Sequence, residues 1–201
     1  MRALFYTGAL LLTLTFCSKE DKMRINHWNE FQKENHLKPE LNKAEFDSLR
    51  AWDFGWFLSE PINIIQDQEE DELRVTKRFS PGQKTLHFFW YLDAEVTNGG
   101  FIQFYLNGYG KYIPAIVDGL TLIGDDEMVM LVKQADDLYL KNKVRFDEQT
   151  EKIAEEGWGN LYDELKGFDE LDDQYYKSHE RTMSLLEAYA RKNPDDFGIL
   201  K

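Results

Sequence analysis

The chain has 201 residues, with 37 Asp and Glu against 24 Lys and Arg, a formal net charge of −13. That balance argues against direct binding to nucleic acid or to an anionic membrane surface, where phosphates attract Lys and Arg, and favours solubility or a basic partner. Hydrophobic residues make up 42% and aromatics 14%, which is enough for one packed domain and unlike a disordered chain.

Met1-Arg2 is a short basic start, and Ala3 to Phe16 carries no charge. The run is shorter than the ~20 apolar residues a spanning helix needs, so residues 1–16 read as a signal peptide. Cys17 follows directly and is the only cysteine, so no internal disulfide forms. Leu14-Thr15-Phe16-Cys17 resembles the site where bacterial lipoproteins are cut and lipidated at cysteine. Leu14 fits that pattern, and Phe16 stands where a small residue is usual. Cys17 is therefore the expected lipid anchor, holding the protein to the cell envelope, with contact to the membrane through the lipid alone.

Residues 17–43 read as a tether grading into a first helix near Met23 to Asn35, and 44–201 as the folded domain. Ala44 to Ser59 is an aromatic-rich helix, with Leu49, Trp52, Phe54, Trp56 and Phe57, stopped by Pro61. Gln66 to Glu72 is an acidic run, expected as a solvated loop or a helix start, where negative charge suits the macrodipole.

Ser80 to Gly108 is the organising stretch. Ser80 is an N-cap, Pro81 fits the first helical position, and Gln83 closes a capping box. The helix that follows is apolar nearly all round, which marks it as buried. Asn98-Gly99-Gly100 stops it, and Phe101 to Leu106 re-enters the core. Pro114 opens a helix through Ile123, ended by Gly124. Asp125-Asp126-Glu127 caps the next helix, whose last turn holds Lys141 and Lys143. Val144 to Glu156 is read as a separate helix. Asn160 caps a short one to Lys166, and Asp169 caps the last long one, with a buried stripe at Leu171, Tyr175, Thr182, Leu185, Leu186 and Tyr189. Asn193-Pro194 closes it. No alternating run carries a hairpin signal. The expected fold is all-α, a single compact multi-helix domain around a buried central helix.

No catalytic, cofactor or metal constellation emerges. His27, His36, His87 and His179 lack a second ligand at helical spacing, and one cysteine cannot make a zinc site. His87 reads as a satisfied core histidine. Asp93 and Glu95 lie ~200° apart around a helix and cannot share a substrate. Asp93 is expected to take the amides of the Asn98-Gly99-Gly100 turn or of the Phe101 helix start. Between Glu155 and Asp173 stand eight carboxylates against Lys166 alone. Asp163, Glu164, Asp169, Glu170, Asp172 and Asp173 are the candidate acidic face for a basic protein.

The run Tyr91-Leu92-Asp93-Ala94-Glu95-Val96-Thr97-Asn98-Gly99-Gly100-Phe101-Ile102-Gln103-Phe104-Tyr105-Leu106-Asn107 resembles the signature of the DNA-mimic protein family. There, a helix ending L-D-x-E-V-x-N-G-G-F runs into Q-x-x-x-N, and a later helix ends in I-G, as Leu122-Ile123-Gly124 does. The likeness spans about half the chain, from Gln83 to Ala190. It implies an all-helical fold, often a homodimer, with no cofactor or active site, whose carboxylates are spaced like duplex phosphates to occupy a DNA-binding protein. In it, Asp93, Glu95, Asn98, Gly99, Gly100, Phe101, Gln103 and Asn107 are read as fold-specifying. Two functions follow. One is a non-enzymatic envelope lipoprotein that binds a basic protein partner through the acidic face. The other is a cytoplasmic DNA mimic.

Overall fold

A computed structural model describes residues 30–67, 72–156 and 165–201. Seven α-helices are seen among them: α1 (Lys43–Ser48), α2 (Ala51–Asp67), α3 (Glu72–Thr76), α4 (Pro81–Leu106), α5 (Ile113–Leu122), α6 (Asp126–Glu156) and α7 (Phe168–Lys192). A two-residue parallel pair joins β1 (Glu40–Leu41) to β2 (Ile199–Leu200) and fastens the start of the domain to its end. The fold is all-α.

α4 is the centre, and its start follows from local chemistry. Ser80 Oγ accepts the Gln83 N–H at 3.1 Å, and Gln83 Oε1 accepts the Ser80 N–H at 2.9 Å. Gln83 Nε2 also donates to the carbonyls of Leu37 (2.8 Å) and Phe197 (3.2 Å), so the capping box doubles as a clasp for both ends of the domain. Leu86, Phe88, Phe89, Leu92, Val96, Phe101, Ile102 and Phe104 are buried from the two halves of the helix. α5 packs against α4 closely enough that a Cβ on Gly119 would sit 3.0 Å from the Thr85 Cα.

Four sequence expectations change. From residue 30 onward there is no first helix, only a 3₁₀ turn at Lys33–Asn35. The amides of Gln32 and Leu37 are taken by the carbonyls of Lys77 and Arg78 at 2.7 and 3.0 Å, and a helix would need them for itself. The helix expected over Ala44–Ser59 is two helices, α1 and α2, and Pro61 lies inside α2 rather than ending it. A helix-interior proline costs about 3 kcal/mol, and the buried Leu58 and Ile62 on either side offset that cost. α6 runs unbroken across Lys141–Val144 because nothing there breaks a helix, and buried Tyr139 and Phe146 sit one heptad apart across the supposed joint. Lastly, the N-cap of α7 is Gly167 (φ +102°), with no side-chain cap, and Asp169 stands in the first turn.

Candidate functional site: the braced kink and the helix that reads it

The central helix bends at Gly99 (φ −158°, ψ 29°) and Gly100 (φ +73°). Four polar side chains brace the bend. Glu95 Oε2 accepts from Gln103 Nε2 at 2.9 Å and from Asn107 Nδ2 at 2.7 Å. Asn98 Nδ2 donates to Gln103 Oε1 at 3.1 Å. The strap leaves no room for a side chain at Gly99, where a Cβ would overlap the Gln103 amide. Gly100 needs glycine twice over, for its positive φ and because Asp172 presses against it.

α7 reads both halves of the bent helix. Asp172 Oδ1 accepts the Phe101 N–H at 2.8 Å and so caps the second half from outside the helix. Tyr176 Oη donates to the Thr97 carbonyl at 2.9 Å, at the end of the first half. Asp93 does not turn to the glycine amides as expected. Its Oδ1 accepts from Tyr175 Oη at 3.0 Å and pairs with His179 Nδ1 at 2.9 Å. The Phe101 amide is already occupied by Asp172, which leaves Asp93 to α7. Burial, then the Asp93 charge and hydrogen bond, push the Tyr175 phenol well above its usual range. Tyr175 and His179 were legible as an i, i+4 pair, but nothing local announced their shared partner.

The acidic face divides. Asp163 and Glu164 lie outside the described residues. Asp169, Glu170 and Asp173 are exposed on the first turns of α7. Asp172 is half-buried and committed to Phe101. Burial raises its carboxyl, the Phe101 N–H lowers it, and Asp169 and Asp173 raise it further, to about 6. It therefore belongs to the fold more than to a free acidic surface. Cys17 also lies outside the described residues.

A second carboxylate cluster went unread in the sequence. Within the acidic run, residues 68–71 lie outside the described ones, but Glu72 opens α3 with a half-buried side chain. It accepts from Tyr91 Oη at 2.7 Å, pairs with His87 Nε2 at 3.3 Å, and accepts from Tyr112 Oη. Burial raises its carboxyl, but the hydrogen bonds from His87, Tyr112 and Tyr91 outweigh that and hold it near 2. His87 is a core histidine, ringed by Phe79, Phe88 and Tyr91. His87 and Glu95 are thus both taken up in structural networks.

Among the described residues no group of three or more His, Cys, Asp or Glu is placed to hold a metal ion, and no helix is long and apolar enough to cross a membrane. Residues 77–193 match the family model described as DMP19-like protein. A relative, the DNA mimic protein DMP19 of Neisseria meningitidis serogroup B, is 30% identical over 122 residues, which cover 59% of this chain and 72% of the relative. The match takes in the capping box, the braced kink and α5 to α7.

Proposed function

The chain belongs to the DMP19-like family, and on that premise we propose that it is a DNA mimic that occupies a basic DNA-binding protein through its acidic surface. The observation that carries this reading is the family match over residues 77–193, which include the kinked helix, together with the likeness to a DNA mimic protein. Charge supports it: the net −13 suits a surface that competes with phosphates. Asp169, Glu170 and Asp173 stand exposed on α7, held at a fixed angle because Asp172, Tyr175, Tyr176 and His179 lock that helix to α4.

The test is capture and elution. The immobilised chain is exposed to lysate of its source cells at low salt and eluted with duplex DNA at constant ionic strength. A DNA-binding protein released by DNA, and not captured by an Asp169→Asn, Glu170→Gln, Asp173→Asn triple variant, is the expected result. Captured proteins that duplex DNA fails to displace would overturn the reading.

A second reading concerns location. The uncharged Ala3–Phe16 run ahead of a lone Cys17 supports a lipid-anchored envelope protein whose acidic face meets an envelope partner. Membrane-bound protein that lacks residues 1–16, carries lipid mass and disappears in Cys17→Ala would support it. Soluble full-length protein would refute it.

A further inference from the structure

The exposed aromatic side chains are not scattered. Trp56 is 51% exposed and Tyr176 50% exposed. A continuous line of rings joins them across three helices. Trp56 lies 5.6 Å from Trp90, Trp90 lies 5.9 Å from Trp52, Trp52 lies 5.6 Å from His179, and His179 lies 6.3 Å from Tyr176, centroid to centroid. Three of the five tryptophans of the chain stand in this strip. A strip of this kind, exposed at Trp56 and Tyr176 with Trp52, Trp90 and His179 partly buried between them, suits an interaction site, since tryptophan and tyrosine supply large contact area with little conformational freedom to lose.

The strip contains one carboxylate, Asp93, whose side chain is 17% exposed. Both of its hydrogen bonds, from Tyr175 and His179, land on Oδ1. Among the described residues Oδ2 has no hydrogen-bond partner. The flanks are anionic as well. Asp53 and Glu60 are exposed on α2 beside Trp56, and Asp173 and Glu180 are exposed on α7 beside Tyr176. A strip of ring faces with a mostly sheltered carboxylate and an acidic rim is complementary to a planar cation. Guanidinium satisfies all three features: it stacks on aromatic faces, donates to the one open carboxylate oxygen and is attracted by the rim. The rim also repels an anionic membrane, the other surface on which exposed tryptophan is common.

We infer that the Trp56–Trp90–His179–Tyr176 strip, centred on Asp93 Oδ2, is the docking point for an arginine side chain of the basic protein partner. The inference rests on the DNA-mimic reading for the identity of that partner, and it adds the contact that the carboxylates alone lack. Carboxylates on an exposed helix supply steering and salt dependence, whereas a desolvated aromatic anchor supplies residence time.

The test uses the full chain with ¹⁵N-labelled indoles and hexa-arginine peptide as probe, with hexalysine beside it. The Trp56 and Trp90 indole signals are expected to shift with hexa-arginine, more weakly with hexalysine. Trp56→Ala should weaken the peptide about tenfold, and a cooperative thermal melt, lowered only by the loss of the packing on Trp90, shows that the variant is still folded. Asp93→Asn, which keeps an acceptor at Oδ1, should weaken the peptide similarly. The capture experiment is run on Trp56→Ala in parallel. Indoles that stay still, together with unchanged capture by Trp56→Ala, overturn the strip and leave the mimic reading standing. Shifting indoles in a chain that captures no DNA-displaceable protein keep the strip as a guanidinium site and overturn the mimic reading.

Discussion

Asp172 and Phe101 meet at 2.8 Å, carboxylate to amide, and this contact lets the last helix set the angle of the central one. Removing the acceptor by Asp172→Ala should cost about 1–2 kcal/mol, the range of a lost helix cap, while Asp172→Asn should cost less. Both variants also lose the pH dependence that the wild-type carboxyl carries. The Asp172 carboxyl is raised from 3.8 to about 6, so the folded state holds its proton more tightly than the unfolded state. Its contribution is fullest below about pH 4 and is lost as the pH rises through 6. Urea titrations at pH 5 and pH 7.5 should show a gap between the two conditions that narrows in Asp172→Asn. An unchanged gap would contradict this assignment.

Gly100 and Gly124 have nearly the same positive φ, +73° and +77°, but different surroundings. A Cβ at Gly124 meets nothing within 4 Å, whereas at Gly100 it runs into Asp172. Gly124→Ala should therefore cost only the backbone strain, about 1 kcal/mol. Gly100→Ala adds loss of the Asp172 cap, and should cost at least about 2–3 kcal/mol. Equal losses in chemical denaturation would mean that Asp172 yields freely.

What the sequence revealed was local. The Ser80–Gln83 box, the Gly100 turn and the Gly124 stop depend on residues within a few positions, and each was legible. What it concealed was long-range. The break between α1 and α2 comes from Glu187 and Arg191, 136 or more positions away: Glu187 accepts the Ala51 N–H, and Arg191 donates to the carbonyls of Phe46 and Leu49. Asp93 was assigned to nearby amides, yet its partners lie 82 and 86 positions on. Among the acidic-face residues, Asp172 shared its composition with Asp169, Glu170 and Asp173, and only packing against Gly100 separates it from them. Glu72 was hidden by its acidic neighbours, since a carboxylate in such a run carries no mark of the two tyrosines and the histidine it will meet.

Glu72 is a second pH-linked carboxylate, with the opposite sign. Its carboxyl is lowered from 4.5 to about 2. The stability it adds is present above about pH 4.5 and is lost as the pH falls toward 2. A shift of that size corresponds to roughly 3 kcal/mol, and the side chain is 27% exposed, so Glu72→Ala should cost up to about that much at pH 7. Glu72→Gln keeps one acceptor and should cost about 1–2 kcal/mol. Acid titration followed by circular dichroism should show the wild type losing stability below pH 4.5 more steeply than Glu72→Gln. Parallel curves would place the acid sensitivity elsewhere.

Ala51 offers a change in the stabilising direction. Its φ is +48°, the only positive value on a non-glycine residue among those described. The strain is held in place from two sides: Glu187 Oε2 accepts the Ala51 N–H at 2.6 Å, and Arg191 sits 4.3 Å over the Phe54 ring while bonding the carbonyls that end α1. A left-handed alanine costs about 1–2 kcal/mol that glycine does not, and the extra freedom glycine gains in the unfolded chain returns part of that. Ala51→Gly should therefore stabilise the protein by up to about 1 kcal/mol. Glu187→Gln should destabilise it, because the Ala51 amide and Arg191 both lose a charged acceptor. Combined, the two should be less costly than Glu187→Gln alone, since glycine relaxes the turn that the carboxylate was holding. A double variant no more stable than Glu187→Gln would show that the corner is set by the Arg191 contacts and not by the Ala51 backbone.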